Sequence, residues 1–270
     1  MKVLITNDDG VASPGLHALA KAVAGAGHEV VVVAPSTDMS GAGASLGRLH
    51  ADQHIDAEEL DLPGAEDVPA FAIAGPPGLC VLAARLGGFG DPPELVVSGI
   101  NPGCNTGRAI LHSGTVGAAL TAANFGCKGV AISIDVAADT GNGGTSGPRH
   151  WESAAALAPA AVAWLAEADP ATVLNINVPD LPLDRIRGAR WGELASFGTV
   201  RSAVIETPLD GGSRLQLELR PTQEELPPDT DTALVMAGYV AVTTVTGIQA
   251  TEPVDPGQIV GAALGSPRTG

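Results

Sequence analysis

The sequence predicts an α/β protein built on a doubly wound, mostly parallel Rossmann-like sheet, with a β-rich C-terminal extension. Three observations carry this. Short apolar runs, KVLIT near the start and HEVVVVA after residue 27, alternate with longer Ala-rich segments of helical character. Aromatic residues make up 3% of the 270 residues while hydrophobic ones reach 45%, so the core must be Val, Leu, Ile and Ala packed through small side chains. Beyond Pro179 the alternation stops, and β-rich runs flank a turn signal, LDGGS.

Lys2 to Thr6 reads as a buried strand, Pro14 to Ala26 as a helix with proline in its first turn, and His28 to Ala34 as a second strand, apolar throughout because both faces are covered. The Asp9-Gly10 pair in NDDG is a hairpin signal, but a helix follows instead of a strand. The two acids therefore sit on a loop at the C-terminal edge of a parallel sheet, where open α/β sheets bind ligands. The alternation continues with a helix at Pro76 to Leu86, a strand at Glu94 to Ser98, a helix at Ser113 to Asn124 and a strand at Gly129 to Ile134. Asp135 to Pro148 reads as a Gly-rich polar loop, His150 to Ala168 as one helix and Thr172 to Val178 as the next strand. Right-handed crossovers place these strands in one sheet. Residues 1–179 thus form the α/β core. Residues 180–270, with strands expected at 200–206, 215–219 and 239–245, form an extension suited to oligomer contacts and not an independent domain.

Composition narrows the function. Fourteen basic against thirty acidic residues give a net charge of -16, which repels a nucleic-acid polymer in the absence of a basic patch. A small anionic substrate remains compatible, because a bound cation or a helix N-terminus reverses the field locally. Cys80, Cys104 and Cys127 are odd in number and form no CxxC pair, so neither a disulfide framework nor a structural zinc site is expected, and a reducing cytoplasm is. Asp8 and Asp9 interrupt the first apolar run too early for a secretory leader, and no run is long and apolar enough to span a membrane.

Three polar loops follow strand ends and become neighbours in a doubly wound sheet: Asn7-Asp8-Asp9, then APSTDMSGAGAS, then GINPGCNTG running into RAILHSGTVG. Asp8 and Asp9 offer carboxylate oxygens, Ser40 a hydroxyl and Asn101 an amide oxygen. Such hard donors suit Mg²⁺ or Mn²⁺, with water and substrate phosphate completing the shell. The plainer alternative is that one of the acids only caps the next helix. Ser113-Gly114-Thr115 begins a predicted helix and makes an anion site of its backbone N–H groups, or else Ser113 is simply an N-cap. Asn105 and the surrounding glycines either let backbone approach a phosphate or only form tight turns. No GxSxG elbow, P-loop or GxGxxG fingerprint is present.

NDDG, SGA, VSGINPGCNTG, HSGTVGAA, LNINVP and DTD followed by GYVAVTTV, in that order from residue 1 to about residue 247, resemble the stationary-phase survival protein SurE family. The resemblance implies a metal-dependent 5′/3′-nucleotidase that hydrolyses nucleoside monophosphates, with one divalent metal per subunit and a C-terminal extension exchanged or packed between the subunits of a homodimer or homotetramer. Carried over by position, it implies Asp8, Asp9, Ser40 and Asn101 as metal ligands, with Asp8, Asp9 and Asn101 at the chemistry. Asn105, Ser113, Gly114 and Thr115 would line the phosphate pocket, with His112 beside them.

Two departures bear on specificity. Family members usually have acidic residues after NxG and a Tyr before SGT, where this chain has Arg108, Ala109 and His112. They also tend to have Ser or Asn in the second loop, where this chain has Gly43 and Ala44. Arg108 is either a contact for a further anionic group or a solvated charge; His112 either protonates a leaving oxygen or packs beside the helix start. Two other readings follow from these changes: a phosphatase dedicated to one biosynthetic intermediate, such as a modified nucleotide, or a non-catalytic nucleotide-binding module.

Overall fold

A computed structural model describes residues 1–48, 54–135, 149–169, 172–198, 200–210, 212–221 and 225–248. In chain order the elements are β1 (Lys2–Thr6), α1 (Pro14–Gly25), β2 (Glu29–Pro35), β3 (Ala57–Glu59), β4 (Ala70–Ile73), α2 (Pro77–Arg85), β5 (Leu95–Pro102), α3 (Gly114–Asn124) and β6 (Lys128–Ile134). Then follow α4 (Trp151–Ala155), α5 (Ala158–Glu167), β7 (Val173–Val178), β8 (Ala189–Trp191), β9 (Val200–Leu209), β10 (Gly212–Pro221), α6 (Asp231–Met236) and β11 (Val240–Val245).

Nine strands form one sheet in the order β3-β4-β2-β1-β5-β6-β7-β11-β8. From β4 to β7 every pairing is parallel, as the alternating pattern requires, and β11 joins antiparallel to β7. Val3, Leu4 and Ile5 of β1 are each 0% exposed. Their side chains alternate between two hydrophobic clusters, one on each sheet face. On one face α1 presents Leu16, Leu19, Ala20 and Val23, a helical stripe, and packs beside α4 and α5; α2 and α3 cover the other. The chain leaves β1 toward β2 on one side and later inserts β5 on its other side, so the topological switch point lies between β1 and β5.

Several elements depart from the sequence reading. The helix expected over 150–168 is two, because Pro159 lacks the N–H that would bond to the preceding turn and instead begins α5. The strand expected at 94–98 runs on to Pro102 through a bulge between Gly99 and Asn101. β3, β4, β8 and α6 were not expected: each is short, and β3 and β8 are exposed along their length. Among the described residues β9 and β10 pair only with each other, as an antiparallel hairpin of ten-residue strands outside the main sheet, whereas the run expected at 239–245 is β11 within it. The Gly-rich loop expected over 135–148 lies, apart from Asp135, outside the described residues, as do residues 249–270 of the extension. Among the described residues no helix is long and apolar enough to cross a membrane.

Candidate metal and phosphate site

The loops leaving β1, β2 and β5 meet at the switch point. The backbone N–H of Met39 donates to Asp8 O at 2.7 Å, tying the second loop to the first. The register Thr6↔Ser98 sets the end of β1 beside the end of β5, where Asn101 follows the bulge. From the opposite side, α3 delivers its N-terminus to Asp8.

Asp8 is 4% exposed, and its Oδ1 accepts from Thr115 Oγ1 at 2.6 Å. Burial raises its pKa, against the opposing pull of Thr115 and of the backbone amides of Gly114 and Thr115. The anion at the start of α3 is thus Asp8 itself, held by the unpaired N–H groups that every helix start offers. Gly114 is required by space: a Cβ there would lie 2.7 Å from Asp8 Oδ2. Ser113 caps the helix, its Oγ accepting from Val116 N at 3.1 Å, which leaves its own O–H free to donate.

Asp9 is pushed up to about 7, by burial first and then by the charges of Asp8 and Asp38, with Arg149 acting the other way. Its Oδ2 is buried with no hydrogen-bond partner. An unpaired buried carboxylate oxygen beside a second carboxylate is a strained arrangement that a cation relieves. Asn101 donates Nδ2 to Gly103 O at 2.5 Å, so its amide oxygen is the atom left to offer a ligand. Among the described residues no three or more His, Cys, Asp or Glu side chains converge. The donors at this point are therefore two carboxylates supplemented by neutral oxygens, which fits a hard divalent cation and not zinc.

A family model for survival protein SurE matches residues 3–199. The chain belongs to the SurE family. The 5′-nucleotidase SurE of Stenotrophomonas maltophilia is 34% identical over 251 residues, covering 91% of this chain and 89% of that protein. The 5′-nucleotidase SurE of Xylella fastidiosa is 35% identical over 248 residues, with the same coverage. The crystal structure of the SurE protein from Aquifex aeolicus superposes with a TM-score of 0.75 at 28% identity, covering 98% of each chain.

Within this SurE chain some expected side chains are differently engaged. Ser40 is exposed and donates its hydroxyl to Asp38 Oδ1 at 2.6 Å, not to Asp8 or Asp9; this bond and that of the Ser40 amide hold the Asp38 carboxyl low. The Thr115 hydroxyl is spent on Asp8, and Asn105 donates one Nδ2–H to Ser133 Oγ at 2.9 Å, which leaves the second N–H of that amide to offer. Arg108 and His112 lie exposed at the ends of a 3-10 turn over Gly107–His112. Gly43 adopts a positive φ of 54°, which favours glycine, and its carbonyl oxygen seats against Gly117, where a Cβ would come within 2.2 Å of it.

Sequence reasoning missed five supporting residues of this SurE site. Arg149, stacked 5.6 Å over Trp151, and Asp38 set the charge around Asp9. Asn175 and Asn177, two residues apart and so on one face of β7, both bond to Asn105; a repeated amide inside an apolar strand was the available signal. Asp231, 0% exposed, accepts from the amides of Gly107, Ala195 and Thr232 at 2.8, 3.0 and 2.7 Å, and so fixes the third loop from α6.

Proposed function

We propose that this protein is a divalent-metal-dependent phosphomonoesterase that hydrolyses nucleoside 5′-monophosphates to nucleoside and phosphate. The observation that carries the reading is the buried, unpartnered Asp9 Oδ2 beside an Asp8 locked by Thr115 and α3. The names of the curated relatives supply the substrate class.

Asp8, Asp9 and the Asn101 amide oxygen would hold the cation, with the Ser40 hydroxyl reached from the second loop. Such an ion supplies Lewis-acid neutralisation of phosphoryl charge and makes water nucleophilic at neutral pH. The rest falls to the chain. Thr115 and Gly114 orient Asp8, and the free O–H of Ser113 donates to a phosphoryl oxygen. Asn105 shapes the loop, the exposed His112 beside the Ser113 cap would be the group to protonate a leaving oxygen, and Arg149 offsets the negative field that would otherwise repel the ester.

The isolated β9–β10 hairpin serves as an oligomer contact in a homodimer or homotetramer. Val204, Leu215 and Leu217 on it are 59%, 64% and 73% exposed, more apolar surface than a free two-stranded ribbon sustains in water. All three cysteines are free thiols, which suits the cytoplasm.

Phosphate release from a panel of nucleoside 5′- and 3′-monophosphates and sugar phosphates, with Mn²⁺ or Mg²⁺ and then with chelator, tests the reading. Metal-dependent release from 5′-mononucleotides is expected. Turnover confined to one unusual ester would mark a dedicated enzyme, and no release from any ester with either metal would sink the enzyme reading in favour of a binding module.

A further inference from the structure

The LNINVP stretch of β7 places two asparagines against one peptide of the third loop. Asn175 Nδ2 and Asn177 Nδ2 donate to Asn105 O at 2.8 and 2.9 Å, and Asn177 Oδ1 accepts from Asn105 N at 2.8 Å. From β6, Ser133 Oγ receives Asn105 Nδ2 at 2.9 Å. Asn175, Asn177 and Ser133 are each 0% exposed. Burying primary amides in a hydrocarbon sheet is costly unless they are bonded; here Asn175 Nδ2 and both ends of the Asn177 amide bond to a single loop residue, while Asn175 Oδ1 is buried without a partner.

Asn105 lies in the chain between Asn101, a candidate metal ligand, and Ser113, the N-cap of α3, whose free hydroxyl proton is the candidate phosphate donor. The Asn101 end has its own anchors: Gly103 N donates to Ile134 O at 2.9 Å, and Asn101 Nδ2 bonds to Gly103 O. Downstream, the strand ladder has ended, and the chain toward Ser113 is placed by the grips on Asn105 and Gly107, by Arg108 N donating to Ala195 O at 3.2 Å and by the packing of Ile110.

We propose that Asn175, Asn177 and Ser133 are positioning residues, a clamp on Asn105 that sets the segment from Asn105 to Ser113 for phosphate while leaving the metal position independent. The inference rests on the phosphomonoesterase reading. The clamp touches neither ester nor cation; it fixes the distance between the groups that do, which is where small displacements cost rate.

The test uses the full chain as wild type and as Asn175→Ala, Asn177→Ala and Ser133→Ala. Amide hydrogen exchange over residues 103–113 is read without ligand, Mn²⁺ affinity by calorimetry, and inorganic phosphate affinity at saturating Mn²⁺. Loss of one such bond should speed exchange over 105–113 and weaken phosphate binding by about tenfold each, with Mn²⁺ affinity and exchange in β1 and β5 within about twofold of wild type. Unchanged exchange and phosphate binding in folded variants overturn the clamp. So does a parallel loss of Mn²⁺ binding, which would make these residues general supports of the site. Should Asn177→Ala fail to fold, Asn175→Ala and Ser133→Ala decide, since each removes one bond and leaves the others; unfolding of all three overturns the proposal. If wild type neither binds nor releases phosphate, the functional reading fails, and the exchange data still judge the clamp.

Discussion

Thr115 Oγ1 donates to Asp8 Oδ1 at 2.6 Å, joining residues 107 positions apart where β1 ends and α3 begins. A hydrogen bond to a buried charge contributes about 1.5–3 kcal/mol, so Thr115→Val, which keeps the shape and removes the hydroxyl, should lower kcat/KM by roughly ten- to a hundredfold. Thr115→Ser should stay within about threefold of wild type, because it keeps the donor. Steady-state kinetics at saturating Mn²⁺, with circular dichroism to confirm folding, check both.

Asp9→Asn should abolish most turnover and cut Mn²⁺ affinity by at least about tenfold, since the proposed ligand set would lose one of its two charges. Calorimetric titration of the variant checks this, and near wild-type affinity would remove Asp9 from the ligand set.

The metal-free protein should lose stability as pH rises. Asp9 titrates near 7 when folded, against a reference of 3.8, so between those values the folded state holds a proton that the unfolded chain has released. Stability then falls from about pH 4 to about pH 7 and levels off above. Melting temperatures in chelator should show this slope, Asp9→Asn should lessen it, with the raised Asp8 keeping the remainder, and Mn²⁺ should restore the wild type at pH 7.

Much of this was legible in the sequence, for identifiable reasons. β1, β2 and β5 to β7 are buried on both faces, so their apolar runs survive as uninterrupted signals, and the loop carrying Asp8 and Asp9 could be placed from the strand–helix order alone. β4 is a four-residue strand one place in from the edge and β8 a three-residue edge strand, and the pairing of each is decided by β2 or β11, far along the chain. The site was legible in its residue types but not in their partners. Ser40, Asn105 and Thr115 have the chemistry of ligands, and only tertiary contact shows that Asp38, Ser133 and Asp8 engage them first. Asp231 was quoted in a motif without a role, because no local pattern tells a buried carboxylate that receives three amides from a helix cap.

Asp231→Ala should destabilise the fold by about 3 kcal/mol, since buried amides lose their acceptor. Chemical denaturation should show this loss. Phosphate affinity in the folded fraction should also fall, because Gly107 is released.

Replacing residues 200–221 with a short turn should leave a protein of lower oligomeric state, with the sheet intact. Sedimentation velocity reads the assembly and near-ultraviolet circular dichroism the core. Unchanged mass per particle would take the hairpin out of the interface.

The position of β11 in the main sheet, next to β7 and followed on its other side by β8, has a practical corollary. A chain cut near residue 199, where the family model ends, would strip the outer rail from β7 and remove Asp231 at one stroke. The first 199 residues are thus no unit to be trimmed out and grafted elsewhere: the β7 edge of their sheet and the loop at Gly107 both lean on residues 231–245, further along the chain.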